Sequence, residues 1–181
     1  MSTPWRKLKS KIVHKNPFFR VRADDVLAPN GFRTKYYYID DIGNSVSVVA
    51  EDADGKIYLV GQRKYPPGNN YSWETVAGGG EGGENLLQSA KRELREETGL
   101  TAKQWFSLGS FFPSGGTSNQ KVYIFLAKGL KMFKARPDST ESIAVKKETL
   151  GKIVKMIKNN KITDGYTIIA IYKYLLYKRK L

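Results

Sequence analysis

Residues Gly78 to Leu100 read GGGEGGENLLQSAKRELREETGL, a glycine run that passes into a strongly helical pattern. Gly99 is a typical helix stop. Glu93, Glu96 and Glu97 are spaced three and four residues apart, so their carboxylates project from one side of the helix. Three like charges so close together repel one another. A hard divalent cation would relieve that repulsion, because such ions take oxygen ligands.

The spacing is also that of a known signature. Gly78, then Glu84, then Arg92-Glu93-Leu94-x-Glu96-Glu97-x-Gly99-Leu100 resembles the Nudix box at every defined position. The alternative is a solvated Glu/Arg-rich helix held by internal ion pairs. Such a helix needs neither a preceding glycine run nor a fixed Glu84. The resemblance implies an enzyme that hydrolyses a nucleoside diphosphate linked to another group.

The resemblance implies a Mg²⁺ or Mn²⁺ site and assigns its parts. Divalent ions neutralise diphosphate oxygens and lower the pKa of bound water. The implied ligands are the side chains of Glu93, Glu96 and Glu97 and the backbone carbonyl of Ala77, with Glu96 also a catalytic candidate. The structural members of the motif are Gly78, Glu84, Arg92 and Gly99. Arg92 and Glu84 are expected to form an ion pair that holds the loop on the helix.

The rest of the chain predicts strands on both sides of this helix. Strands are predicted over residues 11–22 (interrupted at Asn16-Pro17), 32–39, 45–50, 56–63, 73–76, 104–112, 121–127 and 141–147, with helices over 85–98, 150–159 and 166–177. Residues 64–72 and 129–140 are predicted loops. We expect an α/β/α sandwich with a mixed sheet, the Nudix fold, over residues 43–181. Residues 1–42 are expected to form a small antiparallel β subdomain.

The sequence around the box narrows the class of substrate. Gly61-Gln62-Arg63, Trp73 to Gly78 and Pro113 to Ser118 resemble the ADP-ribose pyrophosphatase and nucleotide-sugar branch. That branch cleaves a nucleoside diphosphate sugar to a nucleoside monophosphate and a sugar phosphate. The implied substrate-binding residues are Arg63, Glu74, Ser114, Gly115 and Gly116. Its members are usually homodimers whose N-terminal strands frame the partner's nucleobase pocket, so a homodimer is expected.

One departure from the branch concerns the general base. Many ADP-ribose pyrophosphatases carry a glutamate just after the Gly-Gly-Thr-Ser element, where this chain has Asn119 and Gln120. An amide does not accept a proton at useful pH. Glu141 is the candidate replacement, and a surface carboxylate is the alternative interpretation of it. The departure favours a broader nucleoside diphosphate sugar hydrolase.

Composition bounds the remaining possibilities. The net charge of +14 is uneven: residues 1–35 carry +7, residues 36–120 carry −4 and residues 121–181 carry +11. Basic flanks around an acidic centre fit either a surface that attracts phosphates or ordinary solvated lysines. The chain has no cysteine and one histidine, His14, which excludes disulfides and thiolate metal sites. No apolar run predicts a membrane span or a signal peptide, and a cytoplasmic location is expected.

Two other functions are compatible with the sequence. The basic flanks leave room for hydrolysis of capped RNA or dinucleoside polyphosphates. However, the lysines are spread singly and no nucleic-acid-binding motif occurs, so nucleic acid is not the expected partner. A non-catalytic Nudix domain that senses a nucleotide is the third possibility, although an eroded box would be typical of it.

Overall fold

The computed structural model describes residues 3–40, 43–66, 68, 70–80, 83–133 and 143–179. By their internal contacts these residues form two compact units. One contains the described parts of Met1–Gly43 and Phe112–Lys121, and the other those of Asn44–Phe111 and Val122–Leu181. The sequence-based division into 1–42 and 43–181 remains a prediction, and the contacts group the loop 112–121 with the N-terminal residues.

The first unit is a three-stranded antiparallel sheet in the order β1-β2-β3. Its strands are β1 (Arg6–Lys15), β2 (Arg20–Leu27) and β3 (Arg33–Asp40). The single interrupted strand predicted over 11–22 is wrong, because the chain turns back at Asn16. The Oδ1 atom of Asn16 accepts hydrogen bonds from the backbone N–H groups of Phe18 and Phe19, at 2.8 and 2.9 Å. This side-chain turn converts one predicted strand into a hairpin.

The loop 112–121 is attached to β3 by several hydrogen bonds. The backbone N–H of Ile39 donates to Thr117 O at 2.8 Å. The hydroxyl of Tyr36 donates to Gly116 O at 2.7 Å. The amide Nδ2 of Asn119 donates to Asp40 Oδ1 at 2.6 Å. The Asn119 side chain is therefore occupied in holding this loop.

The second unit contains a seven-stranded mixed sheet, with β10-β5-β4-β9-β8 in order, β6 on β5 and β7 on β4. The strands are β4 (Ser45–Glu51), β5 (Lys56–Lys64), β6 (Asn70–Glu74), β7 (Val76–Gly79), β8 (Leu100–Phe111), β9 (Val122–Met132) and β10 (Ala144–Thr149). β4 and β9 are parallel, and the other pairs are antiparallel. β10 lies at an edge, as expected for 141–147.

Three helices complete this unit: α1 (Leu86–Thr98), α2 (Leu150–Lys158) and α3 (Gly165–Lys178). α1 begins at a capping box in which Asn85 and Gln88 satisfy each other's backbone N–H groups. It ends at Gly99, whose φ of 72° is the left-handed conformation that glycine adopts without strain. The predicted helix boundaries are thus correct to within a residue or two.

The two faces of the sheet bury separate apolar clusters. Ala90 and Leu94 of α1 pack with Val46, Val48 and Val60 on one face. On the other face, residues of α2 and α3 such as Ile153, Ile171 and Tyr174 pack with Val49, Leu59 and Ile124. The second unit is therefore the predicted α/β/α sandwich. In the part of the chain that the structure describes, none of the helices has the length and apolar character that a bilayer crossing requires.

Two predicted loops are partly strands. Residues 129–132 continue β9, and residues 70–72 belong to β6. Each segment alternates polar and apolar residues as a strand does, but it lies beside glycine and proline residues that favour a loop. Pairing with a distant partner orders each of them as a strand. β9 pairs with β8 through Leu100↔Met132, and β6 pairs with β5 through Lys64↔Asn70.

Candidate active site

The glycine run and the box helix meet at Gly78 and Glu93. A Cβ atom built on Gly78 would lie 2.0 Å from Oε1 of Glu93 and 2.1 Å from its Cδ. Only a residue without a side chain allows the carboxylate to rest against the backbone there. Gly78 is held in place by β7, where it pairs with Val46 of β4. The backbone of β7 and the Glu93 carboxylate thus form one close-fitting element.

Arg92 connects the helix to the preceding loop. Its Nε lies 3.2 Å from Glu84 Oε2, so the predicted Arg92–Glu84 ion pair is present. Its Nη2 donates to the backbone carbonyl of Gly79 at 2.7 Å. Its Nη1 lies 3.0 Å from Glu93 Oε1 and 2.8 Å from Glu96 Oε2. The guanidinium therefore already acts as the cation between two of the box carboxylates.

Glu97 occupies the next turn of the helix after Glu93 and is only 4% exposed. Its negative charge interacts electrostatically with the ammonium of Lys64 on β5. Burial lowers the pKa of Lys64, but its hydrogen bond to Glu74 and the nearby charges of Glu74, Asp164 and Glu97 outweigh that effect and raise the pKa overall. Lys64 is thus a permanent cation that faces three carboxylates.

Glu74 lies at the end of β6 and is 3% exposed. It forms an ion pair with Lys64. Burial raises the pKa of the Glu74 carboxyl, although Lys64 acts in the opposite direction. A carboxylate this well buried depends on its partner to remain charged.

A buried chain of hydroxyl groups fixes the residue that follows Glu74. Ser47 Oγ lies 2.9 Å from Thr75 Oγ1. The backbone N–H of Thr75 donates to Thr167 Oγ1 at 2.9 Å, and Thr167 Oγ1 donates to Asp164 Oδ2 at 2.7 Å. Asp164 is the N-cap of α3. The start of α3 is thereby tied to the junction of β6 and β7.

A cleft of about 590 Å³ opens beside this arrangement. Its described lining is mostly polar and comes from β5, β6 and the segment before α3: Lys64, Asn70, Tyr71, Ser72, Glu74, Asn160, Lys161, Thr163, Asp164 and Gly165. The volume lies within the range of about 300–1,000 Å³ that is usual for small-ligand sites. The cleft therefore brings cations and hydrogen-bonding groups together next to the Lys64 ammonium.

The chemistry of the box fits a hard divalent ion. All candidate side-chain donors are carboxylate oxygens, and the Gly78 backbone admits Glu93 at close range. As the described side chains stand, no three acidic or histidine residues are gathered closely enough to hold a metal. Arg92 instead contacts Glu93 and Glu96. Metal binding would thus require these two carboxylates to turn from the guanidinium.

The other predicted site residues are distributed as follows. Ala77 lies directly before Gly78 on β7 and pairs with Ser47. Arg63 is exposed, and its guanidinium carbon lies 5.9 Å from the ring centroid of Tyr71, its cross-strand partner. Ser114, Gly115 and Gly116 belong to the unit that contains the N-terminal sheet. Glu141 lies outside the described residues. The functional roles assigned to all of these residues remain predictions.

Sequence reasoning missed Lys64 and Asp164 as members of the site. Lys64 was assigned to a loop, although it ends β5 and follows Arg63 directly. Successive strand residues point to opposite faces, so only one of these two neighbours can face Glu74. The pattern Asp164-x-x-Thr167 before an apolar helix is an N-cap signal, and it was available in the sequence.

Comparison with known proteins agrees with this geometry. The NUDIX domain family matches residues 41–162, which is more than half of the chain. The chain belongs to the Nudix family and is a Nudix hydrolase. The nucleoside diphosphate sugar hydrolase N-terminal domain matches residues 5–39. Within the family, the chain therefore falls in the branch of ADP-ribose pyrophosphatases and nucleoside diphosphate sugar hydrolases.

Individual relatives extend over nearly the whole chain. An ADP-ribose pyrophosphatase of Bacillus subtilis (strain 168) is 33% identical, with 97% of each chain covered. A methanol dehydrogenase activator of Bacillus methanolicus is 32% identical over 92% of this chain and 90% of the relative. The crystal structure of an ADP compounds hydrolase superposes with a TM-score of 0.86 at 20% identity, covering 99% of this chain and 97% of that one. At that identity the structural match establishes the fold.

Proposed function

We propose that this protein hydrolyses the diphosphate of a nucleoside diphosphate sugar, such as ADP-ribose or GDP-mannose, to a nucleoside monophosphate and a sugar phosphate. The observation that carries the proposal is the pairing of an intact Nudix box with an N-terminal domain of the nucleoside diphosphate sugar hydrolase type. An ADP-ribose pyrophosphatase among the relatives that cover the whole chain supports the same class of substrate.

The box carboxylates would hold Mg²⁺ or Mn²⁺. Glu93, Glu96 and Glu97 are the side-chain ligands we propose, with the carbonyl of Ala77 beside them. When bound, the ion neutralises diphosphate oxygens and lowers the pKa of a coordinated water. The contact of Gly78 with Glu93 supports this assignment, because it holds one donor against the backbone.

Other groups of the chain bind and orient the substrate in this proposal. Lys64 supplies a fixed positive charge beside Glu97 and the cleft, which suits a diphosphate. Glu74 pairs with Lys64 from β6, and Arg63 on β5 is a further substrate-binding residue in the proposal. Ser114, Gly115 and Gly116 are proposed to contact the sugar side. The proton acceptor is assigned to Glu141, because the amides of Asn119 and Gln120 do not accept a proton at useful pH.

The proposed enzyme acts as a cytoplasmic homodimer. β1 supports the dimer, since nine of its ten residues are exposed and four apolar side chains in and just before it are open to solvent. These side chains are Trp5, Leu8, Ile12 and Val13. A concentration of exposed apolar groups on one strand supports a surface that another chain covers.

The test is hydrolysis of a panel of nucleotide sugars, dinucleoside polyphosphates and capped RNA. The products are treated with a phosphatase, and the released phosphate is measured. ADP-ribose or another nucleotide sugar should be cleaved in Mg²⁺ and not in EDTA. Glu97→Gln should lower kcat by at least about 100-fold, because a metal ligand is lost while the side chain keeps its size. Glu148→Gln, a matched change on β10, should retain activity.

The alternatives give different results in the same panel. Preferred cleavage of capped RNA, with binding that weakens steeply as salt rises, would assign the enzyme to nucleic acid instead. Binding of ADP-ribose without any product would identify a sensing domain. Full activity of Glu97→Gln would remove the box helix from the metal site.

A further inference from the structure

A second concave surface lies on the box helix, away from the Lys64 cleft. It is a groove of about 560 Å³ between α1 and β8. Its described lining is Lys91, Arg92, Arg95, Glu96, Thr101, Ala102 and Trp105. The proposed hydrolysis uses Arg92 and Glu96 from this set, and leaves the outer part of the groove without a role.

The outer part of the groove is positively charged. Lys91 and Arg95 are one helical turn apart and both are exposed. Across the described residues, neither forms an ion pair with a carboxylate. Glu96 is the acidic residue of the described lining, and Arg92 already contacts it at 2.8 Å. Two cations therefore remain available to a ligand.

An aromatic ring forms the opposite wall. Trp105 is half-buried, and its indole lies edge-on to Phe125 with ring centroids 6.4 Å apart. Its Nε1–H donates to the backbone carbonyl of Ala102 at 3.3 Å, which satisfies the polar end of the ring. The indole is thus fixed in orientation, and Trp105 is part of the groove lining. Nucleobases of any sequence stack on aromatic rings of this kind.

We propose that this groove binds one nucleoside phosphate, with the phosphate on Lys91 and Arg95 and the base against Trp105. Cations on one wall and an aromatic ring on the other match the two halves of a nucleotide. The volume of about 560 Å³ suits a single small ligand rather than an extended strand. The three residues proposed to contact the nucleotide, Lys91, Arg95 and Trp105, have no part in the proposed hydrolysis, so the inference goes beyond the proposed function.

The test is a titration of the protein with AMP in the presence of EDTA, monitored by tryptophan fluorescence. AMP should quench the fluorescence, and Trp105→Phe should abolish this quench. The Lys91→Ala/Arg95→Ala variant should weaken the apparent Kd by at least about tenfold, because two charge-assisted contacts are lost. Lys155→Ala/Lys158→Ala removes the same charge from α2 on the other face of the sheet, and should bind as the unmodified protein does. Adenosine should bind at least about tenfold more weakly than AMP.

Several outcomes would overturn the proposal. The first is no quench in the unmodified protein, and the second is an undiminished quench in Trp105→Phe. The third is equal AMP affinity of Lys91→Ala/Arg95→Ala and Lys155→Ala/Lys158→Ala. Equal binding of adenosine and AMP would also overturn it. Thermal unfolding of each variant by circular dichroism shows that it is folded. Failure of the proposed hydrolysis would appear separately, as no product from nucleotide sugars in Mg²⁺.

Discussion

At the scale of single residues, Gly78 gives the sharpest test of the site. In Gly78→Ala the new methyl group would lie 2.0 Å from Glu93 Oε1, so something must move. The obstructing atoms are the end of a flexible side chain, and we expect the carboxylate to move rather than the backbone. Activity on ADP-ribose should then fall at least about tenfold through misplacement of a catalytic group. The melting temperature should change little.

The adjacent glycine provides the control. A Cβ on Gly79 would meet nothing within 4 Å. Gly79→Ala should therefore keep both activity and stability, because its backbone carbonyl still accepts the hydrogen bond from Arg92. Equal activity losses in the two variants would show that the glycine run needs flexibility in general, rather than space for Glu93.

The Lys64–Glu74 pair makes a second prediction at this scale. The side chain of Glu74 is 4% exposed and that of Lys64 is 41% exposed. Lys64→Met should destabilise the protein by about 1–3 kcal/mol, less than for a fully buried pair because Lys64 is partly solvated. Urea unfolding at fixed pH measures this loss.

The pH dependence of the stability of Lys64→Met tests whether an unpaired buried carboxylate causes the loss of stability. Burial already raises the pKa of Glu74 above its ordinary 4.5, and loss of Lys64 should raise that pKa further. An acid whose folded pKa is raised loses stability as pH rises from its unfolded pKa through the folded one. The deficit of Lys64→Met should therefore be larger at pH 8 than at pH 5. Adding Glu74→Gln should remove this difference, and an equal deficit at both pH values would argue against a buried charge.

At the scale of elements, Thr167 ties α3 to the strands that carry the site. Its hydroxyl accepts from the buried N–H of Thr75 at 2.9 Å and donates to Asp164. Thr167→Val should cost about 1–3 kcal/mol, because the Thr75 N–H is left buried without that partner. Thr167→Ser keeps the hydroxyl and should retain most of the stability. If chemical denaturation shows the two variants equally destabilised, the hydroxyl is not the stabilising group, because Thr167→Ser keeps it.

Some elements could be predicted from sequence because their signals are local. The helix α1 carries its own start at Asn85 and its own stop at Gly99, so its boundaries follow from a few neighbouring residues. The start of β6 and the end of β9 lie beside glycine and proline residues that favour loops, and their extent as strands is set by pairing with β5 and β8. The hairpin at Asn16 was misjudged, since a side-chain turn and a strand interruption have similar sequences.

The same distinction applies to the candidate site. The box carboxylates follow from helical spacing within one segment, and the Arg92–Glu84 pair is what the resemblance to the Nudix box implies. The Lys64–Glu74 pair depends on the register between β5 and β6, and the Thr75–Thr167 bond joins residues 92 apart in sequence. Contacts of this length are fixed by packing of the whole unit, and no local pattern specifies them.

At the scale of the whole molecule, the exposed strand β1 predicts assembly. Ile12 and Val13 are each 45% exposed and lie where the register between β1 and β2 shifts. Ile12→Asp/Val13→Asp places two charges on this exposed strand, so it should disrupt an interface that covers it. Light scattering after size exclusion should give twice the monomer mass of 20.4 kDa for the unmodified protein and the monomer mass for the variant.

Activity tests whether assembly serves the site. If a second copy helps to frame the nucleobase, the monomeric variant should lose at least about tenfold in kcat/KM on ADP-ribose, mainly through a higher KM. Tyr172→Asp/Leu176→Asp changes two exposed apolar residues of α3 and should leave mass and activity as they were. A variant that is monomeric and fully active would separate the dimer from catalysis. An unmodified protein that is monomeric at micromolar concentration would remove the dimer altogether, and the apolar side chains of β1 would then need another partner.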